Sequence, residues 1–152
     1  MTIIYRILSL IINSAAMLLT ISMVFSLPLI FSSPQTMLPG FMMAAVILYS
    51  WFSFKFRREV LQQQKVVGHR LRDWIRVNGI VTLVFSGFSI AGIVPLVQNP
   101  QVFLDAVKTM GVDMPVKTAM NFFYGMLVYA VILFIHILWT FALMKKNKEF
   151  FQ

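Results

Sequence analysis

Acidic residues are scarce in this chain. Five Asp and Glu stand against 13 Lys and Arg, and none of the five interrupts a long apolar run. A proton- or cation-coupled transporter of the usual intramembrane carboxylate type therefore lacks its central group. So does any enzyme built on paired carboxylates. Cysteine is absent altogether, which removes disulfides, thiolate metal sites and thiol redox chemistry, although it does not fix the compartment. There are two histidines, and His69 lies in a basic stretch, so a bis-histidine haem has only one candidate ligand within an apolar run, His136. HExxH, GxSxG, a phosphate-binding glycine loop and CxxC are all missing. The sequence predicts no cofactor, no metal and no enzymatic activity.

What is abundant is apolar. Hydrophobic residues make up 59% and charged residues 12% of the 152, against roughly 45–50% and 25% in soluble domains. Mean hydropathy is +0.82. A water-soluble fold of this size would have too little polar material to cover its surface, so the composition points to a membrane protein. The net charge of +8 could suggest nucleic acid. The charges border apolar runs instead of gathering on one folded face, and nucleic acid is rejected as a partner.

Basic residues cluster where topology needs them. Between residues 55 and 76 lie Lys55, Arg57, Arg58, Lys65, Arg70, Arg72 and Arg76, offset only by Glu59 and Asp73. A short basic segment between two uncharged apolar runs is held on the cytoplasmic side of a bilayer. The tail repeats the signal with Lys145, Lys146 and Lys148. Both termini are thus expected on the cytoplasmic face of a bacterial inner membrane, and the basic loop could in addition contact anionic lipid headgroups.

Four spans follow, an all-α up-down bundle in a single membrane domain. The first, about 7–30, is too long for the 7–15-residue core of a signal peptide and runs past the Ser14-Ala15-Ala16 site, so it reads as an uncleaved helix. Its roughly 24 residues cover about 36 Å, enough for a ~30 Å hydrocarbon core. The second, about 37–54, is expected to open at Pro39-Gly40, with proline tolerable in a first turn, and to continue past Lys55 into the cytoplasm. Within 55–76 the spacing of Val60, Val67, Leu71 and Trp74 marks one helix face, which predicts two helical extensions meeting at a turn near Gly68. The third span covers about 77–97. After it Asn99-Pro100 opens a short amphipathic helix, 100–110, closed at Gly111. Val102, Phe103, Ala106, Val107 and Met110 form its apolar side; it either lies at the outer interface or packs on the end of the bundle. Asp113 is expected to cap the fourth span, about 118–144. Trp51, Trp74, Trp139 and Tyr5 fall near the cytoplasmic boundary, and Phe122, Phe123 and Tyr124 near the opposite one, as interfacial aromatics do.

Inside the spans, polar residues fall in helical stripes: Ser9, Asn13, Ala16 and Thr20; Asn78, Thr82, Ser86 and Ser89; Asn121, Gly125, Tyr129, His136 and Thr140. Each is expected to face the bundle interior. Gly87 and Ala91 add a small-residue pair suited to close helix approach. Asn13 and His136 each lie about nine residues, roughly 13 Å, below the cytoplasmic boundary, and Ser86 about ten. These three are predicted to meet as a polar layer if their helices adjoin. His136, the one ionisable side chain deep in a span, is a functional candidate. The alternative is a neutral imidazole bonded to a neighbouring hydroxyl or amide. The expected role is that of a non-enzymatic accessory or interaction subunit, partnered by lipid, by another membrane protein or by its own copy. The alternative is a small transporter or channel component lined by the polar faces of spans 1, 3 and 4.

Overall fold

A computed structural model describes residues 3–109, 111 and 114–152. Helix α1 runs Ile3–Ile30 and contains Pro28 in its last turn. A three-residue turn follows, tied by the Ser32 hydroxyl donating to Leu29 O (2.7 Å). Helix α2, Pro34–Phe56, begins five residues earlier than the Pro39-Gly40 expected from sequence. The reason is local: Ser33 is extended and its Oγ accepts from Thr36 N (3.4 Å), while Pro34 occupies the first turn, where its missing N–H is costless. Pro39 then falls inside the helix and forfeits one backbone bond. Gly40 has a different duty from helix opening. A Cβ there would lie 2.5 Å from Ile30 Cγ2, so glycine lets α1 and α2 close on each other beside the turn.

The basic segment is mostly helical. α2 passes into a π-helical stretch, Arg57–Gln62, and helix α3, His69–Gln98, starts with Gly68 as its N-cap, close to the predicted arrangement. Val60 and Leu71 of the expected face are buried, Val67 is half-buried and Trp74 is 50% exposed. Helix α4, Gln101–Thr109, follows Pro100, whose carbonyl accepts from Leu104 N (3.1 Å). It ends as expected at Gly111, which takes φ +78° and donates to Lys108 O (3.0 Å), a left-handed closure that glycine adopts without strain. Met110 and the proposed cap Asp113 lie outside the described residues. Helix α5, Val116–Lys146, begins at Pro115.

The four long helices of 28 to 31 residues, α2 counted with its π-helical continuation, are each long and apolar enough to cross a membrane. At 1.5 Å per residue they reach about 42–46 Å, beyond a ~30 Å core. The residues left bare agree: Phe25 is 80% exposed and Phe88 68%, a surface that no water-soluble monomer presents along its whole length. The chain is a multi-pass α-helical membrane protein.

The helices adjoin in the order α1, α2, α3, α5, with α1 returning to α5 over a shorter contact. The start of α1, the end of α5 and the 57–68 connection therefore share one end, the basic end. The main core lies in that half, built from Ile12, Val46, Tyr49, Phe56, Ile75, Leu133 and Ile137 among others. At the opposite end a smaller cluster, Ile93, Ala119 and Phe123, packs with Phe103 and Leu104 of α4. Phe103 meets Phe123 edge-on, 5.0 Å between centroids. Helix α4 is thus packed on the bundle's end, although Val102 of its apolar side remains 60% exposed.

The tail also folds back. Val67 N donates to Phe150 O (2.7 Å) and Gln152 N to Val67 O (3.0 Å), a single parallel bridge. Phe151, 4% exposed, stacks on Phe56 at 5.8 Å. Sequence reading saw only a basic tail here.

A buried polar cluster around His136

His136 stands on α5, wholly buried, at the point where α1, α2 and α5 meet. The helix face Tyr5, Ser9, Ile12, Ala16 is the buried side of α1, spaced 4, 3 and 4 as one face requires. It delivers two polar groups to the imidazole. The Ser9 hydroxyl lies 3.1 Å from Nε2, and the Tyr5 ring stacks flat on the imidazole, 4.9 Å between centroids with a 6° interplanar angle. From α2, Tyr49 presents its hydroxyl 2.8 Å from Nδ1, its ring edge-on to the imidazole. One turn along α5, Thr140 Oγ1 is 3.0 Å from both the Tyr49 and the Tyr5 hydroxyls and donates to His136 O (2.8 Å).

Proton counting fixes the directions. Thr140 has one hydroxyl proton, already given to the His136 carbonyl, so its oxygen can only accept from the two tyrosines. Tyr49 donates to Thr140 and must accept from Nδ1–H. Wholly buried with no carboxylate beside it, the imidazole is neutral, and Nε2 then accepts from Ser9. Every polar atom of the five side chains is used. No carboxylate or second histidine takes part, and no group of three metal-ligating side chains exists among the described residues. Neither the groove between α1 and α2 nor the shallow cleft at the basic end touches His136. The ring is wholly buried, and the arrangement can fix tautomer and helix register.

The predicted layer of Asn13, Ser86 and His136 is not joined by hydrogen bonds. Asn13 Oδ1 accepts from Ser50 Oγ (2.6 Å), since α1 faces α2 at this level. Ser86 is buried as expected but donates to Leu83 O of its own helix (2.9 Å). Helices α1 and α3 sit at opposite corners, which keeps Asn13 and Ser86 apart whatever their depth. Of the stripes, Asn78, Thr82 and Ser86 face inward; Asn121, Gly125 and Thr20 do not. Gly87 and Ala91 are not used for packing within the chain, since a Cβ at Gly87 would meet nothing within 4 Å.

The basic residues singled out for topology all lie at the basic end. Lys55, Arg58, Arg70, Arg76, Lys145 and Lys146 are exposed and Arg72 is half-buried. Arg57 is the exception, 9% exposed. Its guanidinium rests on the Phe54 ring (4.9 Å to the centroid) and its Nη1 donates to Arg6 O (3.3 Å), while Nε has no partner among the described residues. Thr82 Oγ1 and Tyr129 Oη are likewise buried without one.

Tyr5, by its place in the sequence, suits an anchor at the interface. It is instead fully buried within the cluster. Tyr49 escapes a reading based on polar stripes, although Val46, Tyr49 and Ser53 with Phe56 and Val60 form one buried face at spacings of 3 and 4. Comparison of the chain with protein-family models, with curated proteins and with solved structures finds no match.

Proposed function

We propose that this protein is a non-enzymatic accessory subunit of a bacterial inner membrane, acting by association with another membrane protein or with its own copy, with both termini cytoplasmic. The observation that carries the reading is the closure of the His136 cluster: the one deep ionisable side chain is wholly buried, and each ring nitrogen has a hydroxyl partner. A transport path or a catalytic histidine needs the opposite. The orientation is supported by the gathering of Lys55, Arg58, Arg70, Arg76, Lys145 and Lys146 at a single end, the end the positive-inside rule assigns to the cytoplasm.

Isolation from native membranes in mild detergent tests the role. A partner in fixed stoichiometry, retained in the His136→Ala variant, is the expected result. Solute or ion flux through the purified protein in vesicles, abolished by His136→Ala with assembly intact, would overturn it. For orientation, the cysteine-free chain permits single labels: Asn147→Cys should resist an impermeant maleimide added to intact cells, and Asn99→Cys should react.

A further inference from the structure

An apolar groove of about 750 Å³ runs along the outer seam of α1 and α2, open to the lipid side. On α1 its wall includes Asn13, Met17 and Thr20; on α2 it includes Leu48, Trp51 and Phe54. From Asn13 to Ile21 the groove follows α1 for roughly 12 Å. Its volume falls within the range of about 300–1,000 Å³ that accommodates a small ligand. Two features set it apart from an ordinary lipid-facing furrow.

The first is a charged mouth. Phe54 lines the groove, and the Arg57 guanidinium lies on its ring while bonding the Arg6 carbonyl across to α1. Among the described residues Arg57 has no carboxylate partner, and its Nε is buried and unpaired. Arg6 lies seven residues before Asn13 and Lys55 four after Trp51, so each continues its helix's groove-side stripe, and both are exposed. Glu59, the acidic residue nearest in sequence, is met by its neighbour Arg58 at 3.7 Å. The second feature is a donor at depth. Asn13 Oδ1 is taken by Ser50, which leaves the amide NH₂ of a groove-lining residue without a partner among the described residues, about 10 Å below Arg6. The groove thus has a guanidinium resting on its Phe54 wall, an amide donor lower down and hydrocarbon walls beyond.

We infer that this groove is a binding site for an anionic phospholipid, its phosphate held by Arg57 and Arg6 with Lys55 beside them and one acyl chain lying against Met17, Leu48 and Trp51. A diacyl phospholipid carries its groups in that order: anionic phosphate, ester carbonyl acceptors, then hydrocarbon. The inference does not depend on the proposed accessory role.

Trp51 reports occupancy directly. The Trp74→Phe/Trp139→Phe variant keeps it as the sole tryptophan and is reconstituted in phosphatidylcholine vesicles containing a minor fraction of either brominated phosphatidylglycerol or brominated phosphatidylcholine. Brominated phosphatidylglycerol should quench Trp51 several-fold more effectively at equal mole fraction. Arg6→Gln and Arg57→Gln should each reduce that preference about five-fold, and Thr20→Phe, on the lipid side and harmless to the core, should reduce it by filling the groove. Equal quenching by both lipids would reduce the groove to ordinary annular contact and overturn the site. Absence of quenching by either, with Met17→Cys cross-linking between chains, would assign the groove to a second copy and overturn it equally.

Discussion

The ring of Tyr5 lies flat on the imidazole of His136 while its hydroxyl reaches past it to Thr140, 3.0 Å away. One residue near the chain's start thus fastens α1 to α5 twice, by stacking and by a hydrogen bond. Tyr49 meets the edge of the same ring at Nδ1, and the two tyrosines are not equivalent.

Removing the Tyr49 hydroxyl strips the short acceptor from Nδ1–H and one donor from Thr140, leaving the buried N–H only the long contact to Thr140 Oγ1 (3.5 Å). Tyr49→Phe should cost about 1–2 kcal/mol. Tyr5→Phe removes only one of two donors to Thr140 and keeps the stack; about 0.5 kcal/mol is expected. His136→Ala removes the ring both tyrosines pack against and should cost about 3 kcal/mol. Reversible unfolding in mixed micelles orders the three. If Tyr5→Phe proved the costliest, the hydrogen-bond directions assigned here would be wrong.

Two threonines on facing helices offer a sharper contrast. Thr140 is saturated, whereas Thr82 Oγ1 is buried without a partner. Replacing a hydroxyl by an isosteric methyl removes a desolvated group in one case and breaks a network in the other. Thr82→Val should leave stability unchanged or raise it by up to about 1 kcal/mol, and Thr140→Val should lower it by about 1–2 kcal/mol. The same unfolding measurement serves, with the sign of the difference between the variants as the test.

The inward stripe Asn78, Thr82, Ser86 and the burial of His136 were legible in the sequence because helical periodicity states which face is buried. It does not state which face meets it. Asn13 and Ser86 share a depth, but the order of helices around the bundle puts them at opposite corners, and only tertiary packing decides that order. Tyr5 was misjudged for a related reason: a tyrosine one turn from a helix end suits either the interface or the interior, and what decides is the neighbour across the gap. Arg57 looks like its basic neighbours in sequence; burial against Phe54 distinguishes it. Pro39 drew attention away from Ser33-Pro34, the actual helix start.

Close packing beside the first turn predicts a specific epistasis. A Cβ at Gly40 would lie 2.5 Å from Ile30 Cγ2 and within 3.3 Å of two further Ile30 carbons, and no other side chain is among those nearest atoms. Gly40→Ala should destabilise by about 1–3 kcal/mol through overpacking, and Ile30→Ala should relieve most of that in the double mutant. Gly79 is a control. A Cβ there meets Phe141 at 2.8 Å and also Tyr49 at 3.4 Å, so trimming Phe141 to Leu should rescue Gly79→Ala only in part. Additive costs at residues 40 and 30 would mean that the two helices do not approach as described.

The tail provides a prediction outside the membrane. Phe151 is buried against Phe56, and the bridge it stabilises occupies the backbone N–H groups of Val67 and His69, which donate to Phe150 O and Gln152 O. In the connection between α2 and α3 those amides have no helical partner to protect them, so their exchange with solvent reports on the tail alone. Phe151→Ala removes the aromatic stack and most of the buried area; about 2–3 kcal/mol of local stability should go with it. Hydrogen exchange followed by mass spectrometry should then show roughly 30- to 100-fold loss of protection at Val67 and His69, while Gln63 and Lys65, which donate to Arg58 O and Glu59 O, and the amides around His136 are unchanged. The selectivity separates a docked tail from a globally weakened bundle: if protection fell equally in α5 at His136, Phe151 would be part of the main cooperative core, and the basic end would unfold only with the rest.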